Sequence, residues 1–139
     1  MYFVIVGTGR VGAALARWLV AAGHEVSTVD ICPARCADLD DELGSVSVLG
    51  DGTEAGILAR AGTNRADVFV AATGSDEDNL AACQLARHRF GATRTAALVH
   101  IPEHERLFGL LGIDICINTT ALVVVKIEDI LSGLFVEEQ

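Results

Sequence analysis

Short runs of β-branched and other apolar residues alternate along the chain with longer Ala- and Leu-rich segments, in which apolar positions recur at helical spacing. This alternation is typical of parallel strands that are joined by helical crossovers. The fold class is therefore predicted to be α/β. The short runs predict six strands, at residues 2–6, 25–29, 46–49, 68–71, 95–99 and 113–117.

The longer segments predict six helices, at residues 10–22, 33–43, 54–61, 76–90, 103–111 and 121–131. The two halves of this pattern, each β-α-β-α-β, meet near residues 64–67. They predict a Rossmann-like, doubly wound parallel sheet of six strands in the order 3-2-1-4-5-6, with a ligand crevice at the carboxyl ends of the strands. Five of the helices are followed by a glycine, the residue suited to a left-handed helix end: Gly23, Gly44, Gly62, Gly91 and Gly112.

The composition favours one folded domain and argues against polyanionic partners. With 139 residues, 51 % of them hydrophobic and 21 % charged, the chain can form one core. Ten basic against 19 acidic residues leave a formal net charge of −9, which repels phosphate polyanions and anionic lipid. We therefore expect no binding to nucleic acid or to a membrane surface.

Neither end of the chain has a pattern typical of membrane insertion or export. The uncharged stretch near the C-terminal end is shorter than the roughly 20 apolar residues that cross a bilayer. Residues 1–6 have no basic lead-in and reach Gly7 after one short apolar run, which indicates a strand and not a secretory signal. We expect a cytoplasmic protein with no direct membrane insertion.

A glycine-rich motif directly follows the first predicted strand and opens the first helix, the context in which G-x-G-x-x-G is meaningful. We expect Gly7 to form the tight turn, Gly9 to let a pyrophosphate approach the backbone, and Gly12 to allow close packing of the helix on the sheet. The positive end of the helix would face the phosphates. The alternative is a glycine-rich turn without a ligand. The motif is Gly7-Thr8-Gly9-Arg10-Val11-Gly12.

Asp30 ends the second predicted strand, 18 positions after Gly12. An acidic side chain there can accept hydrogen bonds from both ribose hydroxyls of an adenosine, and it repels the 2′-phosphate of NADP. Its alternative role, capping the helix that begins at Pro33, is compatible with the first. Ile31 and Arg35 follow closely and belong to the predicted cofactor site, although the cation at Arg35 weakens the argument against NADP.

Two further segments follow strands and are predicted to border the crevice. In the first, Asp51 can accept a hydrogen bond from an adenine amino group, while a turn is its alternative role. In the second, hydroxyl and backbone N–H groups can contact ribose or phosphate, while capping of the next helix near Asp78 is the alternative role of Ser75. The segments are Gly50-Asp51-Gly52-Thr53 and Ala72-Thr73-Gly74-Ser75-Asp76-Glu77-Asp78-Asn79, the second of which opens the next helix.

No metal ligand set is predicted. His100 and His104 bracket Pro102, so that segment begins as strand and turns helical. The two imidazoles then need not share the helix face on which a zinc site of this spacing depends. The four cysteines contain no C-x-x-C pair.

Four motifs stand in order along the chain: the apolar strand with its glycine motif at residues 4–12, Gly23-His24-Glu25-Val26 before the second strand, Asp30 with residues 50–53, and residues 71–79. In this combination the chain resembles, from residue 3 to 131, the N-terminal nucleotide-binding half of RCK/KTN domains, also called TrkA-N domains. These domains are cytosolic regulatory subunits of Trk/Ktr potassium uptake systems and of some potassium channels.

The resemblance implies a regulator that binds NAD(H) or ATP/ADP and passes the ligand state to a membrane potassium transporter or channel subunit. Such a protein would be cytoplasmic and peripheral to the membrane through that partner. The resemblance also implies that Arg10 reaches the terminal phosphate of a nucleotide held by a neighbouring subunit. Leu98 and Thr120 stand where many members have a basic and an acidic residue, which favours a simple NAD(H) or ADP site.

The last predicted helix, residues 121–131, is apolar around much of its circumference and needs cover on two sides. We expect it to pack against a second copy, in a homodimer or a higher ring, as the crossing helix of RCK domains does. The alternative is a helix that lies on its own sheet. RCK proteins usually continue into a smaller C-terminal domain, and residues 1–139 are expected to be the N-terminal domain alone.

An NAD-dependent oxidoreductase is the alternative function, because the same glycine loop and Asp30 hold NAD in dehydrogenases. The single tyrosine, Tyr2, lies in the first strand and the single lysine, Lys126, in the last helix, so they form no proton-transfer pair beside a nicotinamide. The predicted cofactor domain also takes up the whole chain and leaves no residues for a substrate domain. Such an enzyme would therefore need another chain to supply its substrate site. We therefore predict a binding module and not an enzyme.

Overall fold

The computed structural model describes residues 1–137, which contain six strands alternating with six α-helices. Short 3₁₀ turns at Thr63–Arg65 and Pro102–His104 precede the fourth strand and the fifth helix. The strands are β1 (Tyr2–Val6), β2 (Glu25–Asp30), β3 (Ser47–Leu49), β4 (Val68–Ala71), β5 (Arg94–Val99) and β6 (Ile115–Asn118). The helices are α1 (Arg10–Ala21), α2 (Pro33–Leu43), α3 (Ala55–Arg60), α4 (Asp76–His88), α5 (Glu105–Leu110) and α6 (Thr119–Glu137).

The strands form one parallel sheet in the order β3-β2-β1-β4-β5-β6, so the predicted doubly wound α/β fold is confirmed. β1 and β4 lie side by side where the strand order reverses. Val6 pairs with Val29 on one side and with Ala71 on the other, so β1, β2 and β4 end close together at one edge. This is the edge at which open α/β sheets bind their ligands.

The sheet separates two apolar layers. Helices α1 and α2 cover one face, where Ile5 and Leu39 are buried. Helices α3, α4 and α5 cover the other face, where Phe69 and Phe108 are buried. Each large side chain removed from water in this way contributes about 1.5–3 kcal/mol, so the two layers hold this edge of the sheet on a rigid support.

Most element ends lie within one residue of the predicted positions. α4 ends two residues earlier than predicted, α5 begins two residues later, after the 3₁₀ turn, and α6 ends six residues later, at Glu137. All five glycines predicted to end helices have φ between +66° and +88°. β6 begins two residues later than predicted because Asp114 instead accepts hydrogen bonds from the N–H and hydroxyl of Thr95, at 2.8 and 3.1 Å. α6 begins two residues earlier than predicted because the Asn118 side chain accepts the Ala121 N–H at 2.9 Å and caps the helix.

Helix α6 contacts the rest of its own chain mainly through β6. It therefore does not lie on the sheet of its own chain, which was the alternative to packing against a second copy. Among residues 1–137, no helix combines the length and mean hydropathy that crossing a bilayer requires. Ten large apolar side chains along α6 are 43–71 % exposed: Leu122, Val123, Val124, Val125, Ile127, Ile130, Leu131, Leu134, Phe135 and Val136.

Candidate functional site

A cavity of about 290 Å³ opens at the carboxyl ends of the central strands. The structure brings the glycine loop, Asp30 and both crevice segments together around this one space. Their role in binding a nucleotide stays a prediction. Twelve of the predicted residues line the cavity: Gly7, Gly9, Asp30, Ile31, Arg35, Gly50, Asp51, Gly52, Thr53, Ala72, Thr73 and Gly74.

The glycine loop needs two of its three glycines for its own structure. Gly7 has a φ of +93°, and a Cβ there would lie 2.9 Å from the backbone of Ala72. A Cβ on Gly12 would overlap the carbonyl oxygen of Gly7. Gly9, in contrast, has a φ of −69°, and a Cβ there would meet nothing within 4 Å. Protein packing does not require glycine at position 9, whereas close approach of a pyrophosphate does.

Helix α1 begins without a capping side chain. Its N-cap residue is Gly9, and its first turn contains no acidic residue. Helix α4, which begins at the same edge of the sheet, is capped by Ser75, whose hydroxyl accepts the Asp78 N–H at 3.2 Å. It also has three acidic residues in its first turn. Because the first N–H groups of a helix attract anions, α1 is suited to a phosphate and α4 is not.

Asp30 is buried at the edge of the cavity, and three protein donors hold its carboxylate. Oδ2 accepts the N–H and the hydroxyl of Thr8, at 2.8 and 2.9 Å. Oδ1 accepts the Cys32 N–H at 2.8 Å, which fixes the start of α2. A carboxylate has about four acceptor positions, so roughly one remains for a ligand. By this count the Asp30 carboxylate can accept a hydrogen bond from one ribose hydroxyl, whereas the sequence led us to expect hydrogen bonds from two.

The Asp30 carboxylate is held as an anion. Burial raises its pKa, but the hydrogen bonds from Thr8 and Cys32 and the charge of Arg35 lower it by more. The resulting pKa lies below the ordinary value of 3.8. The Arg35 guanidinium lies 3.8 Å from Oδ2 and is largely exposed. At neutral pH the cavity therefore has a fixed negative charge where the ribose of an adenosine would lie.

Asp51 forms the turn that follows β3. Its Oδ1 accepts the N–H and the hydroxyl of Thr53, at 2.8 and 2.7 Å. These bonds lower the pKa of Asp51 below its ordinary value. The turn role is thus present, and within residues 1–137 no side chain or backbone donor bonds to Oδ2. That oxygen is available to an amino group such as that of adenine.

The loop that follows β4 is held from behind by Asn79, which is fully buried. Its Oδ1 accepts the N–H and the hydroxyl of Thr73, at 3.0 and 2.6 Å. Its Nδ2 donates to the carbonyls of Thr73 and Leu98, at 3.1 and 3.0 Å. The side-chain amide is used entirely within the protein. Asn79 therefore shapes the loop and does not line the cavity.

Three further residues line the cavity. Val6 and Val29 were not indicated by the sequence patterns, whereas Asp78 lies in the segment predicted to border the crevice but was not among the predicted binding residues. The two valines pair at the ends of β1 and β2, so the register of a predicted parallel sheet could have found them. The predicted residues that do not line the cavity are Thr8, Arg10, Val11, Gly12, Ser75 and Asn79.

A second buried carboxylate, Asp76, lies at the start of α4. Oδ1 accepts the His100 N–H at 2.8 Å, and Oδ2 accepts the Ile101 N–H at 3.0 Å. Nδ1 of His104 lies 2.9 Å from the same Oδ2. The ring nitrogens of His100 contact other groups, so the two histidines are held by different partners and not as a pair of metal ligands.

Because of Asp76, we expect the folded state to lose stability in acid. Burial raises its pKa, but the hydrogen bonds from His100, Ile101 and His104 lower it by more, to below the ordinary value of 3.8. A carboxyl whose pKa is lower in the folded state than in the unfolded state stabilises the fold fully when the pH lies above its unfolded-state pKa. This stabilisation is lost as the pH falls through its folded-state pKa. We expect Asp76→Asn to lower the free energy of unfolding by about 1–3 kcal/mol at pH 7 and by less at pH 3.

Urea unfolding at the two pH values measures this difference. Asp38→Asn, which removes an exposed carboxylate from α2, is the matched control and should unfold like the wild type at pH 7. If Asp76→Asn keeps the full pH dependence of the wild type, Asp76 does not carry the acid sensitivity.

Comparisons with known proteins show the family of the chain. The family model of the TrkA-N domain matches residues 3–119. The Trk system potassium uptake protein TrkA homolog of Methanothermobacter thermautotrophicus is 43 % identical over 114 residues, which cover 82 % of this chain and 52 % of that protein. The chain spans about half the length of the curated relatives it matches.

Solved structures show the same fold. The TrkA-N domain of the inner membrane protein ybaL from Escherichia coli superposes with a TM-score of 0.87 at 18 % identity, over 94 % of this chain and 96 % of that one. A GsuK channel bound to NAD superposes with a TM-score of 0.74 at 26 % identity, over 84 % of this chain and 21 % of that one. These similarities give no support to the oxidoreductase alternative. The family match and the 43 % identity show that the chain belongs to the TrkA-N, or RCK, family of regulatory domains.

Proposed function

We propose that this chain is a regulatory domain that binds NAD(H) or an adenine nucleotide in the cavity and thereby controls a membrane potassium transporter or channel. The observation that carries the proposal is the pairing, across one cavity, of the uncapped α1 N-terminus at Gly9 with the anionic carboxylate of Asp30. A positive helix end can hold a pyrophosphate, and a carboxylate can hold a ribose hydroxyl. An adenosine with a phosphate tail matches both.

The names of the relatives support the class of ligand and the class of partner. A GsuK structure has been determined with NAD and another with ADP, each 26 % identical to this chain. The relative from Methanothermobacter is a potassium uptake protein by name. By this proposal the domain works in the cytoplasm and reaches the membrane only through the transporter or channel subunit.

The charges that line the cavity favour a ligand with few phosphates. Three carboxylates, on Asp30, Asp51 and Asp78, line it against the one guanidinium of Arg35. Excess negative charge in a cavity disfavours each further anionic group. The uncapped α1 N-terminus at Gly9 suits a pyrophosphate, whereas the carboxylates disfavour further phosphates. We therefore propose NAD(H) or ADP as the preferred ligand, with AMP, ATP and NADPH bound more weakly.

Arg10 has a role in the proposed function only when two copies of the chain come together. It is exposed in the first turn of α1 and does not line the cavity of its own chain. A cation at the positive end of a helix is unfavourable unless an anion lies near. We propose that Arg10 meets the phosphate end of a nucleotide held by a second copy. Arg10 would then add to the one guanidinium of Arg35 in that cavity the further positive charge that ATP needs.

The direct test is a thermal-shift panel with NAD, NADH, AMP, ADP, ATP and NADPH. A ligand at 100 times its dissociation constant stabilises the folded state by about 2.7 kcal/mol, which raises the melting temperature of a chain of this size by on the order of 10 °C. We expect the largest shifts with NAD, NADH and ADP. No shift with any of the six would overturn the proposed site, and a shift with NADPH alone would overturn the role of Asp30.

Gly9→Ala separates a ligand requirement from a structural one. The new methyl group meets no protein atom, and Ala in place of Gly at the N-cap costs about 0.5–1 kcal/mol. We therefore expect the melting temperature without ligand to fall by less than about 5 °C. It occupies the space in which a pyrophosphate approaches the backbone, so we expect the affinity for NAD to fall by about tenfold or more.

Gly56→Ala is the matched control for this variant. Gly56 lies in α3, outside the cavity, and a Cβ there also meets nothing within 4 Å. Its NAD affinity should equal that of the wild type. Unchanged NAD binding by Gly9→Ala would mean that no phosphate lies over the glycine loop.

A further inference from the structure

His100, the residue that follows β5, is hydrogen-bonded through every polar group it has. One ring nitrogen, Nε2, lies 2.9 Å from the Thr73 carbonyl oxygen, and the other, Nδ1, lies 3.0 Å from the Thr119 hydroxyl. Its N–H donates to Asp76 at 2.8 Å, and its carbonyl accepts the Thr120 hydroxyl at 2.9 Å. Four partners thus fix the position of one half-buried side chain and its backbone.

The chemistry of these partners assigns the proton on the ring. A carbonyl oxygen can only accept, so Nε2 of His100 must donate to Thr73. In the neutral ring Nδ1 then accepts, and the hydroxyl of Thr119 donates to it. The result is a continuous chain of hydrogen bonds from the Thr119 hydroxyl through the imidazole to the Thr73 carbonyl.

The two ends of this series of hydrogen bonds belong to different parts of the molecule. Thr73 lines the cavity, and its loop continues into Gly74 at the cavity wall. Thr119 and Thr120 are the first two residues of α6, the helix whose apolar side chains are exposed. Besides these contacts, the Asn118 side chain caps the first turn of α6. The Val99 carbonyl lies 3.4 Å from the Thr119 hydroxyl, whose one proton is already donated to Nδ1 of His100. His100 is therefore the side chain that joins the cavity loop to α6.

We propose that His100 is a positioning residue that couples occupancy of the cavity to the orientation of the first turn of α6. This inference rests on the proposed function, since it requires a ligand in the cavity. A ligand that contacts the loop at Thr73 and Gly74 adds to the restraint that Asn79 already places on the carbonyl to which the imidazole donates. The imidazole then holds the Thr119 hydroxyl, and with it the start of α6. Because coupling is reciprocal, fixing α6 in an assembly raises the affinity for the ligand by the same factor.

Two substitutions each break one half of the link. The amide of an asparagine reaches about as far as Nδ1, so His100→Asn can keep the contact with Thr119 and loses the one with Thr73. The amide of a glutamine reaches about as far as Nε2, so His100→Gln can keep the contact with Thr73 and loses the one with Thr119. Thr73 retains its bonds to Asn79 in both, so the cavity loop keeps its support. His88→Asn, at the exposed end of α4, is the matched control.

The test measures amide hydrogen exchange in the first turn of α6, in the full chain with and without saturating NAD, and NAD affinity by calorimetry. In the wild type and in His88→Asn, we expect NAD to slow exchange of these amides by about threefold or more. In both His100 variants, we expect NAD to bind within about threefold of the wild-type affinity and to leave the exchange unchanged.

Three results would overturn the coupling while leaving the nucleotide site intact. They are a wild type that binds NAD without protection of α6, a His100 variant that keeps the protection, and loss of NAD binding in both variants, because His100 would then hold the cavity itself. A wild type that binds no NAD in calorimetry and shows no thermal shift with any ligand of the panel overturns the proposed function together with the coupling.

Discussion

Placing carboxylates at Ile127 and Ile130 of helix α6 is expected to convert a dimer of this chain into monomers. Both side chains are about half exposed in the single chain, so glutamates there cost the folded monomer little. With Val123 and Leu134 they form a stripe at helical spacing that contains no charged residue. An apolar surface as long as α6 is more than monomers ordinarily leave in water. We propose that a second copy covers it.

The expected size of the effect follows from symmetry. In a two-fold interface each substitution occurs twice, so Ile127→Glu with Ile130→Glu removes four buried isoleucines and introduces four carboxylates. At about 1.5 kcal/mol or more for each isoleucine, the dissociation constant should rise by roughly four orders of magnitude. Sedimentation velocity of the wild type and the double variant over a range of concentrations measures this change.

Ser132→Glu, which adds a carboxylate to α6 outside the stripe, is the matched control and should stay dimeric. Two findings would contradict the assignment of α6 as the interface. One is a wild type that stays monomeric at every concentration measured. The other is a double variant that sediments as a dimer, as a dimeric wild type does.

The fold was predictable from the sequence because its determinants are local or repeat along the chain. Alternating strand and helix periodicities leave few topologies open once the connections must be right-handed and parallel. Glycines at the helix ends placed the element boundaries, and each of them has the positive φ that this position demands. The start of β6 moved because a side chain from far along the sequence intervenes, Thr95 on Asp114, whereas the start of α6 moved because of the local cap by Asn118.

The location of the cavity could be predicted from the sequence, but the polar groups that it offers to a ligand could be predicted less well. Strand ends meet at one edge of a parallel sheet, so residues after strands could be placed there from sequence alone. How much of each polar group remains for a ligand depends on contacts that only the folded chain shows. Thr8 takes two acceptor positions of Asp30, and Asn79 takes the hydroxyl of Thr73.

His100 shows the limit of motif-based reasoning most clearly. Its spacing from His104 raised the question of zinc, whereas its partners in the folded chain, Thr73 and Thr119, are 27 and 19 residues away. They meet because β4, β5 and β6 are neighbours in the sheet. Correct strand order together with the polar residues at each strand end would have indicated this contact. Residue type and spacing alone could not.

The nucleotide site itself is most directly tested at Asp30, where Asp30→Asn is expected to lower the affinity for NAD by about tenfold to a hundredfold. A hydrogen bond to a charged acceptor contributes about 1.5–3 kcal/mol, and the variant loses that charge at the one position left for a ribose hydroxyl. The variant's amide also turns a donor toward either Thr8 or Cys32, so we expect a loss of stability of about 1–3 kcal/mol, measurable without ligand.

Discrimination between ligands separates this role from simple damage to the fold. The carboxylate repels a 2′-phosphate, so Asp30→Asn should weaken NAD more than NADPH and narrow the difference between them. Asp41→Asn, which removes an exposed carboxylate from α2 outside the cavity, should change neither affinity. Calorimetry with NAD, NADH and NADPH on the two variants measures both effects. If Asp30→Asn binds NAD as tightly as the wild type does, the ribose is not held by this carboxylate, and the orientation of the nucleotide proposed for the cavity is wrong.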